Sequence, residues 1–134
     1  TYYYGAHGRL INKNEPQLIC PEESDKFTSK ESSIGNKALT YPVGLITADE
    51  VAMAGGKWAI DIRSYYLYTN YYYWSGSPAY FNSSGDTGEF IVYSAGDLAE
   101  PYVNYAYGAR PVVSLSSKAK LSGNGTYSKP YTVS

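Results

Sequence analysis

Tyr41-Pro42-Val43-Gly44-Leu45-Ile46-Thr47-Ala48-Asp49-Glu50-Val51 carries the strongest local signal in this chain. Its first six residues read as a short apolar strand. Thr47 and Glu50 then stand three apart, the spacing of a capping box. In that motif the hydroxyl accepts from the third amide and the carboxylate reaches back to the amide of the cap. Asp49 and Glu50 fall in the first turn, where the helix dipole favours negative charge. The helix predicted over 48–54 is stopped by Gly55-Gly56. The acidic pair therefore reads as a helix start and not as a catalytic dyad.

On the upstream side, residues 1–20 read as strand-like pieces around turn residues Gly5, Gly8 and Asn12-Lys13-Asn14. Residues 21–40 are polar and loop-rich, with Phe27 expected to anchor them. Downstream, from Trp58 onward, the pattern is strands and turns. A loop over 82–88 precedes a strand at 89–93, and Ser94-Ala95-Gly96-Asp97 is a turn. Arg110–Leu115 reads as a strand beginning at a proline. Ser122–Thr126 is a hairpin turn before a last strand at Tyr131–Val133. No repeat indicates a solenoid. The sum is an α+β chain of small antiparallel sheets, short helices and long loops.

The length of 134 residues suits one domain with one core. The chain starts at Thr1, directly in Tyr2-Tyr3-Tyr4, and is expected to be the C-terminal part of a longer surface protein. No apolar stretch reaches the length of a membrane span, so direct membrane insertion by these residues is not expected. The single cysteine, Cys20, rules out an internal disulfide and a cysteine-based zinc cluster. It reads as a buried thiol or as half of a disulfide to a residue outside this sequence.

Eleven of the seventeen tyrosines fall between Tyr65 and Tyr107, a window without lysine, arginine or histidine. Its centre is Tyr65-Tyr66-Leu67-Tyr68-Thr69-Asn70-Tyr71-Tyr72-Tyr73-Trp74. If this run is a strand, successive side chains point to opposite faces, so Tyr71, Tyr72 and Tyr73 cannot all enter one core. Rings left outside meet water or a partner. Tyrosine with serine, glycine and asparagine is the palette of antibody paratopes, large rigid rings beside adaptable hydrogen-bonding groups. Tyrosine is also a good strand former, which alone would give a sheet with no recognition role. Between Arg63 and Arg110 the charges are Asp86, Glu89, Asp97 and Glu100, all acidic. With a net charge of −1 overall, nucleic acid is not an expected partner, since aromatic platforms bind it beside cations that track the backbone.

Catalytic chemistry has little to work with. His7 is the only histidine and stands in no motif. There is no zinc-protease helix motif, phosphate loop or nucleophile elbow. No catalytic residue, metal or cofactor is expected, and the chain is not read as an enzyme. Glu100-Pro101-Tyr102-Val103-Asn104 is loosely similar to the Glu-Pro-Asn calcium and sugar site of animal C-type lectins. Tyr102 replaces the asparagine of that motif, and six or more oxygen ligands for calcium cannot be assembled.

Three segments together resemble a family. They are Tyr41–Val51 with Ala54-Gly55-Gly56, then Tyr73-Trp74-Ser75-Gly76-Ser77-Pro78, then Tyr107-Gly108-Ala109-Arg110-Pro111-Val112-Val113-Ser114-Leu115. They are similar to the C-terminal domains of surface and pilin-like proteins of gut Firmicutes. The resemblance covers roughly residues 40–134. It implies a C-type-lectin-like fold related to formylglycine-generating enzymes and a place at the cell surface. In that fold the arginine of Gly108-Ala109-Arg110 is structural. The enzymes of the group depend on a cysteine pair that this chain lacks, so their activity is not carried over. Several members resemble variable proteins of diversity-generating retroelements, in which mutation at template adenines diversifies a ligand-binding face.

Asparagine codons mutated at adenines yield Tyr, Ser, Asp, Ala, Thr, Gly, Pro and Leu among others, but never Lys, Glu, Gln, Met or Trp. The runs 65–73, 93–99 and 102–107 fit such a template. Glu100 and Trp74 do not, and Trp74 is expected to be a fixed core residue. The expected ligand-binding residues are Tyr66, Tyr68, Asn70, Tyr71, Tyr72, Tyr73, Tyr93, Asp97, Glu100, Tyr102, Asn104 and Tyr105. Trp74, Pro78, Arg110 and Pro111 are expected to be scaffold. The partner would be a protein or glycan on another surface. A fixed carbohydrate-binding module and a structural pilus or envelope domain are the alternatives.

Overall fold

Small side chains at alternate positions of one long strand set how the elements pack. In the computed structural model, residues 1–23, 39–41 and 43–134 are described. Along the chain run β1 (Tyr2–Tyr3), α1 (Gly5–His7) continuing into a π-helical stretch at Gly8–Lys13, β2 (Val43–Leu45) and α2 (Ala48–Met53). Then follow β3 (Tyr73–Phe81), β4 (Thr87–Val92), β5 (Leu98–Ala99), β6 (Pro111–Val113), β7 (Leu121–Ser122) and β8 (Thr132–Val133). The main sheet has the order β1-β3-β4-β5, all antiparallel. β2 pairs with β6, and β7 with β8, in two smaller antiparallel sheets. With its few short helices this is an α+β fold.

β3 turns Tyr73, Ser75, Ser77 and Ala79 inward, the period-two pattern of a half-buried strand. Three of the four are small, which lets α2 come close: Ala48 and Val51 of the helix are fully buried. The Ala48 amide, one of the orphan donors of a helix start, donates to the Ser77 hydroxyl at 2.9 Å. The capping box is complete, with Glu50 N–H donating to the Thr47 hydroxyl at 3.1 Å and Thr47 N–H to the Glu50 carboxylate at 2.9 Å. Asp49, beside it, is buried and forms a two-pronged ion pair with Arg9, Nε to Oδ1 at 3.0 Å and Nη2 to Oδ2 at 2.9 Å. Oδ1 also accepts the Gln17 amide at 2.9 Å, so one carboxylate ties the N-terminal segment to α2. β4 lies at the centre, with Phe90, Ile91 and Val92 fully buried and Trp58 set edge-on to Phe90. Pro78 stands between two register shifts of the β3–β4 ladder, where a missing N–H is tolerated.

Two sequence expectations need correction. Residues 5–13 are helical, not strand and turn, and Ala6 and Leu10, four apart on one face of that helical stretch, both enter the core. The run from Tyr65 is not a strand. It stays in loops and turns through Tyr72, and the ladder begins at Tyr73. The expected strands at 41–46, 89–93, 110–115 and 131–133 are present in shortened or shifted form. Cys20 is a free, partly exposed thiol 3.3 Å from the Glu22 carbonyl. Phe27 and Pro42 lie outside the described residues.

Candidate functional site

The tyrosine face is assembled by main-chain contacts. Gly108 N–H donates to the Tyr72 carbonyl at 3.1 Å, and Trp74 N–H donates to the Gly108 carbonyl at 2.9 Å. The segment ahead of Gly108 is thereby drawn alongside the start of β3, and Tyr107 comes to rest on Tyr72. Those two rings stack with centroids 5.2 Å apart and planes 14° from parallel. Tyr105 stacks on Tyr107 at 5.8 Å and 17°, and Tyr93 meets Tyr72 edge-on at 4.6 Å. Offset stacks and edge contacts are the arrangements the ring quadrupole prefers. The outcome is a continuous row, Tyr93-Tyr72-Tyr107-Tyr105, drawn from three separate stretches of chain.

A second wall stands beside the row. Tyr80 on β3 lies across Gly88 on β4, where a side-chain Cβ would overlap its ring. Gly88 also bridges Tyr102, and Tyr80 and Tyr102 meet edge-on at 6.4 Å. Glu89 N–H to the Pro101 carbonyl (3.2 Å) and Val103 N–H to the Thr87 carbonyl (3.0 Å) pin the 101–103 segment to β4. Tyr80, Tyr93, Glu100, Pro101, Tyr102, Tyr105 and Tyr107 line an open concavity of about 360 Å³.

Glu100 is the charged member of that lining. Its Oε2 is buried, with no hydrogen-bond partner among the described residues, and lies 3.6 Å from His7 Nε2. That separation is too long for a hydrogen bond. Burial pushes the Glu100 carboxyl up to about 7, and burial holds His7 below the ordinary imidazole value. The Tyr80 phenol is raised first by burial, then by the charges of Tyr102 and Glu100, which places the carboxylate within electrostatic reach of that hydroxyl. Tyr3 covers the His7 ring at 4.0 Å. His7 Nδ1 has no hydrogen-bond partner among the described residues.

The expected binding residues are distributed unevenly. Tyr72, Tyr93, Glu100, Tyr102 and Tyr105 converge on the row and the concavity, and Asn104 is exposed beside them. Tyr66 and Tyr71 are the most open of the loop tyrosines, at 80% and 75% exposure. Tyr68 is partly buried, its hydroxyl donating to Asn70 Oδ1 at 3.2 Å, and Asn70 adopts a left-handed backbone (φ 61°) that asparagine tolerates. None of these four lines the concavity. Asp97 sits in the tight turn after β4, half-buried, its carboxyl raised by burial, and it is also outside the concavity.

Tyr73 is a correction. Only 2% of it is exposed, and its hydroxyl donates to the Leu67 carbonyl at 2.9 Å. Arg110 Nη1 donates to the same carbonyl at 2.8 Å, and its guanidinium lies 4.8 Å from the Tyr73 ring centroid. Tyr73 is therefore a core post, and Arg110 holds the loop against it. Trp74 is not a buried core residue either: it is half-exposed and packs on Tyr107 at 5.2 Å.

Sequence reasoning missed Tyr80 and Tyr107. The alternation Tyr105-Ala106-Tyr107 before a glycine was a usable signal for the second. Tyr80 depends on its pairing with Gly88, which no local pattern reveals. Among the described residues, no group of three or more His, Cys, Asp or Glu side chains is placed to hold a metal.

Comparison of the chain with protein-family models, with curated proteins and with solved structures gives no significant match. Stacked phenols around one desolvated carboxylate can bury flat or cationic groups and donate hydrogen bonds at their rims.

Proposed function

We propose that this chain is a ligand-binding domain whose tyrosine face recognises a protein or glycan on another surface, as a receptor or adhesin at the cell exterior. One observation carries the reading. The row Tyr93-Tyr72-Tyr107-Tyr105 is an ordered aromatic surface, partly open to solvent, assembled from three stretches of chain and not used to fill the core. Aromatic rings held rigid before binding give contact area at low entropic cost, and a few central ones dominate such interfaces. The resemblance of residues 40–134 to surface and pilin-like proteins supports a C-type-lectin-like assignment for the α+β fold. It also supports diversification of this face by a retroelement.

The burial pattern sharpens what diversification should look like. Leu67, Tyr73, Gly96 and Leu98 fall inside the template-compatible runs but are buried. Tyr66, Tyr71, Tyr102, Asn104 and Tyr105 are open. Deep sequencing of this gene and its flanking DNA across a population of source cells tests the reading. Substitutions at adenines of a nearby near-identical repeat, dense at the open codons and depleted at the four buried ones, are expected. Changes spread evenly along the chain would sink diversification and leave a fixed site for one partner.

A further inference from the structure

The concavity beside the tyrosine row has one electrostatic character. Five phenol rings line it, and its single charged member is Glu100, whose Oε2 is buried without a hydrogen bond among the described residues. Among the described residues, the only basic group paired with Glu100 is His7. No lysine, arginine or histidine occurs from Ser64 to Ala109. Arg110 is engaged with the Leu67 carbonyl and the Tyr73 ring, and Arg9 with Asp49. His7 faces Glu100, but burial favours its neutral form. The π faces of tyrosines carry negative potential, and a cation set against them is attracted, more so when desolvated. Burial raises the Glu100 carboxyl to about 7, and a cation set against it favours the ionised form and adds the charge-assisted hydrogen bond that an isolated aromatic patch lacks.

We propose that the concavity lined by Tyr80, Tyr93, Glu100, Tyr102, Tyr105 and Tyr107 receives one cationic side chain, a lysine ammonium or arginine guanidinium, from a polypeptide partner. The inference rests on the reading of the tyrosine face as a recognition surface and names what that surface recognises. A polypeptide fits better than a free small cation because the row continues past the concavity to Tyr72, which a ligand confined to the cavity would leave uncovered. The concavity, about 360 Å³ and open to solvent, has room for the long stem of either side chain laid against the rings toward Glu100.

The test uses capped Gly-Gly-Arg-Gly-Gly and Gly-Gly-Lys-Gly-Gly, the citrulline counterpart of the arginine peptide, and methyl glycosides, titrated into the chain by NMR. At least one cationic peptide should bind saturably and shift the tyrosine resonances of the concavity. It should bind at least tenfold more tightly than the citrulline peptide, which keeps the shape and loses the charge. Glu100→Gln and Tyr105→Ala should each weaken it at least tenfold, while Tyr127→Ser, far out on the exposed C-terminal hairpin, should leave it unchanged. Equal binding of the citrulline peptide, no effect of Glu100→Gln, or binding of glycosides alone would overturn the proposal. So would no binding by either cationic peptide. A random peptide library selected on the wild-type chain separates this failure from that of the wider reading. Ligands lacking basic residues but lost on Tyr72→Ser would leave the recognition face standing. No ligand dependent on Tyr72 or Tyr105 would remove both.

Discussion

At Glu100 a carboxylate faces an imidazole at 3.6 Å while burial penalises the charged form of each. The folded protein holds the Glu100 proton up to about 7, against an ordinary value near 4.5. Between those values the native state binds more protons than the unfolded chain, so this group's contribution to stability falls as pH rises through the window. His7 acts in the opposite sense, because its lowered value makes the folded state lose stability as pH falls below about 6.5. Glu100→Gln removes the first term alone. Chemical denaturation should then lose the fall in stability between pH 5 and 7, leaving only the His7 rise, and show a gain on the order of 2 kcal/mol at pH 8. A profile identical to wild type would mean the carboxyl is not desolvated. Tyr73→Phe is the complementary test in the core. It removes the hydroxyl that reaches the Leu67 carbonyl and should cost about 1 kcal/mol, since Arg110 still donates to that oxygen.

At the scale of elements, the helix start at Thr47 was legible because capping is local: two side chains three apart satisfy two amides, and no distant residue is consulted. The 65–72 segment offers no such local signal. Its composition suits a strand, but its conformation is set by remote donors, the Tyr73 and Arg110 side chains converging on Leu67 and the Tyr65 hydroxyl reaching the Gly96 carbonyl at 2.7 Å. The helical Ala6–Leu10 spacing was present in the sequence and was obscured by glycines read as turns. Asp49 was recognised as a helix-start residue, but its tie to Arg9, forty residues away, left no local trace. Asp49→Asn leaves Arg9 facing a weaker partner in a largely buried setting and should cost about 3 kcal/mol by thermal or denaturant unfolding. Gly96→Ala should be damaging by a different route. Gly96 has φ 90°, and its Cβ would overlap the Ile62 carbonyl, so the turn after β4 and the docked 61–62 segment would both have to move. A loss of roughly 1–3 kcal/mol is expected.

For the molecule as a whole, the sequence pattern located the tyrosine-rich window but did not sort its residues. Tyr71, Tyr72 and Tyr73 are chemically identical, and only the point at which β3 begins decides that the third is core and the other two are not. That decision predicts a sharp contrast across three codons. In a library of single substitutions displayed on cells, serine at Tyr66 or Tyr71 should leave folding within about 0.5 kcal/mol of wild type. Serine at Tyr73 should abolish display of folded protein. The anchors of the 65–72 segment have a further consequence. Leu67, Tyr72 and Gly96 each present a carbonyl oxygen to the donor that holds them, and every amino acid carries the same carbonyl. At an open position such as Tyr72, the side chain can be exchanged while the tether persists. The domain therefore separates what is held from what is displayed, which makes it a natural frame on which an engineer, or a population under selection, can rewrite specificity without refolding the protein each time.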